Sequence, residues 1–257
     1  MGTLRRRARF GAAHPGWFTL IADLLLSPPV VVVERFEDIP GEPPFPGEED
    51  LIANAVESRR REFITARRCA RRALSALGHP AAAIRSGPRR EPLWPAGVIG
   101  SITHCTGYRA AAAARRGDLV SLGIDAEPCA PLPDGVAEQV TLAEERALLA
   151  GLASSDPAIH WDRLLFSAKE SVYKAWYPLT GRWLGFEDAC LFIDPIASVF
   201  SARILVRGLH THRGPPLTEM TGRFLVRQGL VVTAACVTAP GARNDVIRGG
   251  SANAHQG

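Results

Sequence analysis

Leu119-Val-Ser-Leu-Gly-Ile-Asp-Ala-Glu127, closed by Pro128, is the stretch on which the reading of this chain turns. An apolar run that stops at a proline reads as a strand. Asp125 and Glu127 stand two apart on it, so both carboxylates face one side while Ala126 faces the other. At the strand's end their side chains reach beyond the sheet. Two adjacent carboxylates repel unless a proton or a cation sits between them. Oxygen ligands without a His or Cys beside them suit a hard ion such as Mg²⁺. A solvated strand end would present the same pair.

Upstream, Val98-Ile-Gly-Ser-Ile-Thr-His104 is a second strand, followed by a turn at Thr106-Gly107. Residues 108–115 are ambiguous: their five alanines favour helix, their short length between two turn signals favours strand. Residues 38–50 are a Pro- and acid-rich loop, and residues 48–77 predict one long helix. Val56, Phe63, Ala70, Leu74 and Leu77 form its apolar face, with Gly78 where a left-handed cap belongs. On the same helix Arg60, Arg67 and Arg71 line up as a basic stripe. A first strand is expected over residues 30–35.

Downstream, Thr141-Leu-Ala-Glu144 has the form of a capping box that opens a short helix. Asp156-Pro157 is expected to cap a second helix running to Trp176, before Pro178. Strands follow near 189–193, 199–207, 223–227 and 230–238, with Gln228-Gly229 as a hairpin turn. A long helix with several strands on either side of residue 120 predicts an α+β fold. It would consist of two pseudo-repeated α/β halves, residues 30–120 and 121–238, with the site at their interface. Residues 1–29 read as a partly disordered leader and residues 239–257 as a polar, Gly-rich disordered tail.

Composition narrows the class. The chain has 257 residues, 46% hydrophobic and 22% charged, ample for a core and too apolar for a disordered protein. No run approaches 18 apolar residues without a charge or proline, which excludes a helical membrane span. Arg5, Arg6, Arg7 and Arg9 before an apolar stretch imitate a signal peptide, but Asp23, Pro28 and Pro29 interrupt it. Five scattered cysteines without a C-x-x-C suggest neither a disulfide framework nor a zinc site, and fit a reducing cytoplasm.

Of the 30 basic residues only Lys169 and Lys174 are lysines, leaving 28 arginines. That skew is what a GC-rich genome writes, so it says little about nucleic acid. The two lysines fall together on the helix predicted over 157–176. Leu165, Ala168, Val172 and Trp176 make its buried face, while Arg163, Ser167, Glu170 and Lys174 form a polar stripe. Glu170 is a candidate third carboxylate, and the lysines are candidate phosphate ligands. The alternative is an ordinary amphipathic helix with a Glu-to-Lys pair. His104, before a turn with free N–H groups, is a candidate phosphate ligand or a structural hydrogen-bonder.

Ser101-Ile-Thr-His104, then Gly123-Ile-Asp-Ala-Glu127, then Phe166-Ser-Ala-Lys-Glu-Ser-Val-Tyr-Lys174 resemble the signature series of the 4′-phosphopantetheinyl transferases. Arg59-Arg-Arg-Glu-Phe-Ile-Thr-Ala-Arg67 and Trp183-Leu-Gly-Phe-Glu-Asp188 are similar to the actinobacterial members of the Sfp-like group. The likeness covers residues 30–238. It implies transfer of the phosphopantetheine arm of coenzyme A to a serine of an apo carrier protein, releasing adenosine 3′,5′-bisphosphate. The partners implied are acyl and peptidyl carrier domains of fatty-acid, polyketide and nonribosomal peptide synthases. A cytoplasmic monomer serving pathways such as antibiotic biosynthesis is expected, with no nucleic acid or membrane partner.

The resemblance also implies roles. Asp125, Glu127 and Glu170 would hold Mg²⁺, or Mn²⁺, at the pyrophosphate, with Glu170 also the base and Lys174 catalytic at the phosphates. Lys169, Thr103 and His104 would bind coenzyme A near its phosphates, and Arg59 and Arg67 its 3′-phosphate end. Periodicity alone would choose Arg60 rather than Arg59. The family's Lys-Gly and Gly-x-Pro segment is replaced here by Arg85-Ser-Gly-Pro-Arg-Arg-Glu-Pro92, so its contacts would fall to Ser86 or Arg85 and to Arg89. A competing reading is an arginine-rich nucleic-acid-binding module on the 48–77 helix. It leaves the acidic set unexplained and lacks aromatic residues interleaved with the arginines. Another Mg²⁺-dependent nucleotide transferase would share the site and differ in substrate.

Overall fold

A computed structural model describes residues 29–206 and 216–238. The expected leader (up to residue 28), the tail and the last residue of the 199–207 strand lie outside these. Strand β1 (Val31–Arg35) pairs with β3 (Tyr108–Arg115), and β3 pairs with β2 (Val98–Cys105), giving a three-stranded antiparallel sheet in the order β1-β3-β2. A second sheet holds β4 (Ser121–Pro128), β5 (Ala189–Asp194), β6 (Val199–Ile204), β7 (Glu219–Arg227) and β8 (Leu230–Val237), in the order β4-β8-β7-β6-β5. Helix α1 (Glu57–Ala76) packs on the first sheet and α4 (Trp161–Thr180) on the second, with α2 (Val136–Val140) and α3 (Ala143–Ser155) following β4 and preceding α4 in the chain. The mixed α/β architecture expected from the sequence is therefore present. Among the described residues no helix is long and apolar enough to cross a membrane.

The alanine run resolves as strand. Ala110, Ala112 and Ala114 join a core with Leu122, Ile124 and Val232, while Ala111 and Ala113 join another with Cys69, Ala70 and Leu74 of α1. Burial on both faces with period two outweighs a helix propensity worth only tenths of a kcal/mol per residue.

Several boundaries differ from expectation: β6 ends at Ile204 and not at 207, β7 begins at Glu219 and not at 223, and three helix ends are displaced. The 48–77 helix begins only at Glu57, after a separate 3₁₀ turn at Glu49–Ile52. Glu48 is fully buried and pairs with Arg71 at 2.7 Å and with the Ile84 N–H at 2.7 Å, so it anchors the loop instead of starting the helix. Val56, expected on the apolar face, is 70% exposed at the N-cap. Gly78 does take the left-handed conformation, φ 87°. The capping carboxylate of α3 is Glu145, which accepts the Leu142 N–H at 2.7 Å, and not Glu144; Thr141 turns back to the Ala137 carbonyl at 2.6 Å. The last correction is α4, which starts at Trp161, after Asp156 has ended α3, and runs through Pro178 to Gly181 (φ 65°). Buried Trp176 and Leu179, with Trp176 Nε1 donating to the Arg182 carbonyl at 3.1 Å, hold that last turn against the proline's missing donor.

Strands β2 and β4 run side by side although they belong to different ladders. Two hydroxyls join them: the Ile124 N–H donates to Ser101 Oγ and the Ala126 N–H to Thr103 Oγ1, each at 3.1 Å. On the other side of β4, α4 comes unusually close. A Cβ on Gly123 would lie 2.0 Å from the Ser171 carbonyl oxygen and 2.7 Å from Ala175 N, so only glycine fits there.

Candidate active site

A cleft of about 670 Å³ opens where α1, the 89–94 loop, β2 and α4 meet. Arg59, Arg67, His104, Glu170, Tyr173 and Lys174 line it, so residues from both sheets and both long helices converge.

Behind the cleft surface, buried Asp125 on β4 meets the cleft-lining Lys174 on α4, Oδ1 to Nζ at 2.6 Å, a contact that the close Gly123 crossing permits. Burial alone would lower the Lys174 pKa; the carboxylates of Asp125, Glu170 and Glu127 together raise it, so it stays an ammonium. Glu127, two residues along, accepts Arg163 NH1 at 3.0 Å. The same guanidinium donates to the Ala130 and Pro131 carbonyls at 3.1 and 2.7 Å, fixing the loop that leaves β4. Sequence reasoning placed Arg163 on the polar stripe but missed this clamp, for which its stripe position was the available signal. Burial first, then the Asp125 charge, push the Glu127 pKa up to about 7, against Arg163 and Lys174. Burial also raises that of Glu170, with Lys174 opposing and Asp125 adding.

Among the described residues no group of three or more His, Cys, Asp or Glu side chains stands ready to hold a metal ion. The Asp125–Glu127 pair nonetheless fits a hard cation. Asp125 Oδ2 is shielded from water and has no hydrogen-bond donor, and the two carboxylates offer only oxygen. Glu170 stands on the cleft side of α4, near enough for the Asp125 charge to raise its pKa.

Cations cluster at the other wall. Arg59 NH1 bonds a ring nitrogen of His104. A guanidinium can only donate, so that nitrogen is an acceptor and the imidazole is neutral. Burial, then Arg59, Lys174, Arg109 and Arg67, bring the His104 pKa down to about 4, in agreement. Glu62 steadies the group, 3.4 Å from Arg59 and 3.7 Å from both His104 and Arg109. Arg67 is buried, its Nε donating to the Ile84 carbonyl at 3.0 Å and NH2 to Ser86 Oγ at 2.8 Å, with its guanidinium 3.6 Å from the Phe63 ring centre. Burial lowers its pKa to about 10, which leaves it charged at neutral pH.

The two candidate arginines occupy different places: Arg59 lines the cleft, while Arg60 donates to the Ile52 carbonyl at 2.8 Å. The basic stripe is therefore not a free face, since Arg60, Arg67 and Arg71 all hold internal partners. That removes the main feature behind a nucleic-acid-binding reading.

Three expected coenzyme A ligands stand elsewhere. Lys169 is buried away from the cleft, bonded to Glu145 at 2.8 Å and the Phe186 carbonyl at 2.7 Å. Thr103 points into the β2–β4 seam, where it donates to Asp125 Oδ1 at 3.3 Å. Ser86 lies behind Arg67 as its acceptor, and Arg85 forms a two-bond pair with Asp50 at 2.6 and 2.7 Å. Arg89 does line the cleft, with its guanidinium 5.7 Å from the Trp183 ring centre. Sequence reasoning also missed the aromatic walls Trp94, Tyr173 and Tyr177, of which only Tyr173 falls in a quoted motif, where it was given no role.

Comparison with known proteins matches residues 47–114 to the 4′-phosphopantetheinyl transferase N-terminal domain and residues 121–218 to the 4′-phosphopantetheinyl transferase superfamily. The chain is 53% identical over 225 residues to the 4′-phosphopantetheinyl transferase Svp of Streptomyces mobaraensis, covering 86% of this chain and 90% of that one. It is 48% identical over 223 residues to PptT of Mycobacterium tuberculosis (84% and 97%), and 51% identical over 196 residues to Npt of Nocardia iowensis (74% and 87%), both also 4′-phosphopantetheinyl transferases. Signature motifs, cleft and relatives agree: this chain belongs to the 4′-phosphopantetheinyl transferase superfamily, enzymes that use coenzyme A to transfer phosphopantetheine to carrier proteins.

Proposed function

We propose that the protein works as a Mg²⁺-dependent transferase of the holo-carrier-protein synthase type, with Mn²⁺ as a substitute ion. Its acceptors would be serines of acyl and peptidyl carrier domains in fatty-acid, polyketide and nonribosomal peptide synthases, including those of antibiotic biosynthesis. It would act as a cytoplasmic monomer. One observation carries the reading: a single cleft is lined by the cations Arg59, Arg67 and Lys174 together with Glu170, and Lys174 reaches from it to Asp125 of the Asp125–Glu127 pair at 2.6 Å. The division into pseudo-repeated halves at residue 120 is supported by one 20-residue helix on each sheet.

In this reading Arg59 and Arg67 grip the 3′-phosphate, and neutral His104, one ring nitrogen accepting from Arg59, has its single N–H to donate to a phosphate oxygen. Lys174 lies between Asp125 and the pyrophosphate and balances charge on the oxygens around the bond that breaks. Bound at Asp125 and Glu127 with Glu170, Mg²⁺ would supply further charge neutralisation there. The carrier serine oxygen attacks the phosphorus that bears the pantetheine arm. Glu170, made more basic by burial, takes the serine proton. The bond from that phosphorus to the bridging oxygen breaks, and adenosine 3′,5′-bisphosphate leaves with the electron pair.

Mass spectrometry of an apo carrier protein incubated with coenzyme A and the enzyme tests this. A mass gain equal to phosphopantetheine is expected with Mg²⁺ and none after chelation with EDTA. Undiminished transfer in EDTA would overturn the metal assignment, and no transfer with carrier domains of any of the three synthase types would overturn the acceptor assignment.

A further inference from the structure

Thr103 lies one residue before the cleft histidine, yet its hydroxyl faces the seam. Its oxygen accepts the Ala126 N–H at 3.1 Å. With that lone pair engaged, the single hydroxyl proton is left for Asp125, and it goes to Oδ1 at 3.3 Å. Oδ1 also takes Lys174 Nζ at 2.6 Å. Both donors thus converge on one oxygen of the carboxylate, while Oδ2 has none and is shielded from water. A buried carboxylate oxygen without a partner costs stability, and a carboxylate free to rotate would share its donors between both oxygens. A donor on each side of Oδ1, one on β2 and one on α4, prevents this.

We propose that Thr103 is a positioning residue for Asp125: its hydroxyl, held by the Ala126 N–H, fixes the carboxylate so that Oδ2 is kept for an incoming divalent cation. This rests on the metal reading of the Asp125–Glu127 pair. Ser101 offers an internal control, because its Oγ joins the same two strands through the Ile124 N–H at 3.1 Å. Its recorded seam bond is to Ile124, with none to Asp125, so loosening of the seam and loss of the carboxylate contact separate.

The test measures Mn²⁺ binding to the full-length protein without coenzyme A, by electron paramagnetic resonance of the free ion, alongside thermal unfolding. Thr103→Val, which keeps the shape and removes the hydroxyl, is expected to weaken Mn²⁺ about tenfold, the low end for one hydrogen bond to a charged group. At 3.3 Å the Thr103 bond is the longer of the two on Oδ1, so a larger loss is not expected. Thr103→Ser keeps the hydroxyl and should bind Mn²⁺ within about twofold of the unaltered protein. Ser101→Ala should lower the unfolding temperature while leaving Mn²⁺ affinity unchanged. Unchanged affinity in Thr103→Val, or an equal loss in Ser101→Ala, would overturn the proposal and leave the metal reading standing. If Thr103→Val does not fold, a tenfold loss in Thr103→Ser overturns it by itself. An unaltered protein that binds no Mn²⁺ would sink the metal reading and this proposal together.

Discussion

Lys169 and Lys174 are the chain's only lysines, five residues apart on α4, and they have different environments. Five residues turn a helix by about 500°, which sets the two side chains roughly 140° apart, whereas Glu170 and Lys174 differ by only about 40°. Angular position could thus have separated the lysines in advance; their shared motif obscured it. Lys169 goes inward to Glu145, whose carboxylate also takes the Leu142 and Leu191 N–H groups at 2.7 and 2.8 Å and is fully buried. Removing the ammonium strands a buried charge, a loss worth about 3–5 kcal/mol. Lys169→Met is therefore expected to lower the unfolding temperature sharply, with the folded fraction keeping its turnover per molecule. Lys174→Met strands the buried Asp125 carboxylate and so also loses stability, but unlike Lys169→Met it should cut turnover per folded molecule about 10²–10³-fold, since Lys174 lines the cleft. Calorimetry and single-turnover rates on both variants decide it, and a stable, slow Lys169→Met would return Lys169 to the phosphates.

At the scale of elements, the site depends on how closely α4 approaches β4. Gly123 sets that distance, because the obstacle to any side chain is the backbone of Ser171, Lys174 and Ala175 and not a movable side chain. Gly123→Ala forces the helix outward, and Lys174 leaves Asp125 with it. Overpacking of this kind costs about 1–3 kcal/mol, and more where backbone must shift. The expected result is a lower unfolding temperature together with a loss of turnover larger than the loss of folded protein; full turnover in the folded fraction would show that the crossing does not position Lys174. Local patterns made this geometry partly legible. Strand β4, the His104 strand and its turn follow from apolar runs and Gly107, and the C-terminal strands from the Gln228-Gly229 turn. What failed were boundaries decided by tertiary burial. Glu48 looks helical until its partners, Arg71 and Ile84, are known, and Pro178 looks terminal until Trp176 and Leu179 are seen to hold the turn beyond it. The pairing of β4 with β8 joins residues some hundred positions apart, beyond any local pattern.

For the whole molecule, part of the arginine-rich charge is paired internally, as in the pairs of Arg71 with Glu48, Arg109 with Asp38 and Arg163 with Glu127. The sequence could count these charges but not pair them. The cleft is where pairing stays incomplete, and this gives the protein two opposed pH dependences. His104, with its pKa brought from 6.5 down to about 4, binds fewer protons when folded than when unfolded between those values. Its contribution to stability is present above pH 6.5 and is lost as pH falls through about 4. Glu127, with its pKa raised from 4.5 to about 7, binds more protons when folded across that range. Its contribution is favourable below pH 4.5 and is lost as pH rises through about 7. Each shift corresponds at most to about 3 kcal/mol, and partial exposure of both groups reduces this to roughly 1–2 kcal/mol. In metal-free buffer the protein is therefore expected to gain on a His104→Gln variant as pH rises from 4 to 6.5, and to lose ground to Glu127→Gln from 4.5 to 7. Denaturant titrations of the three proteins at half-unit pH intervals provide the measurement, and two differences of the same sign would show that burial does not hold His104 and Glu127 in their neutral forms. Both costs are ones that ligands remove, an anion beside His104 and a cation beside Glu127. Binding at either wall should then raise stability most where its group is furthest from its preferred charge, below pH 6 for the anion and above pH 7 for the cation.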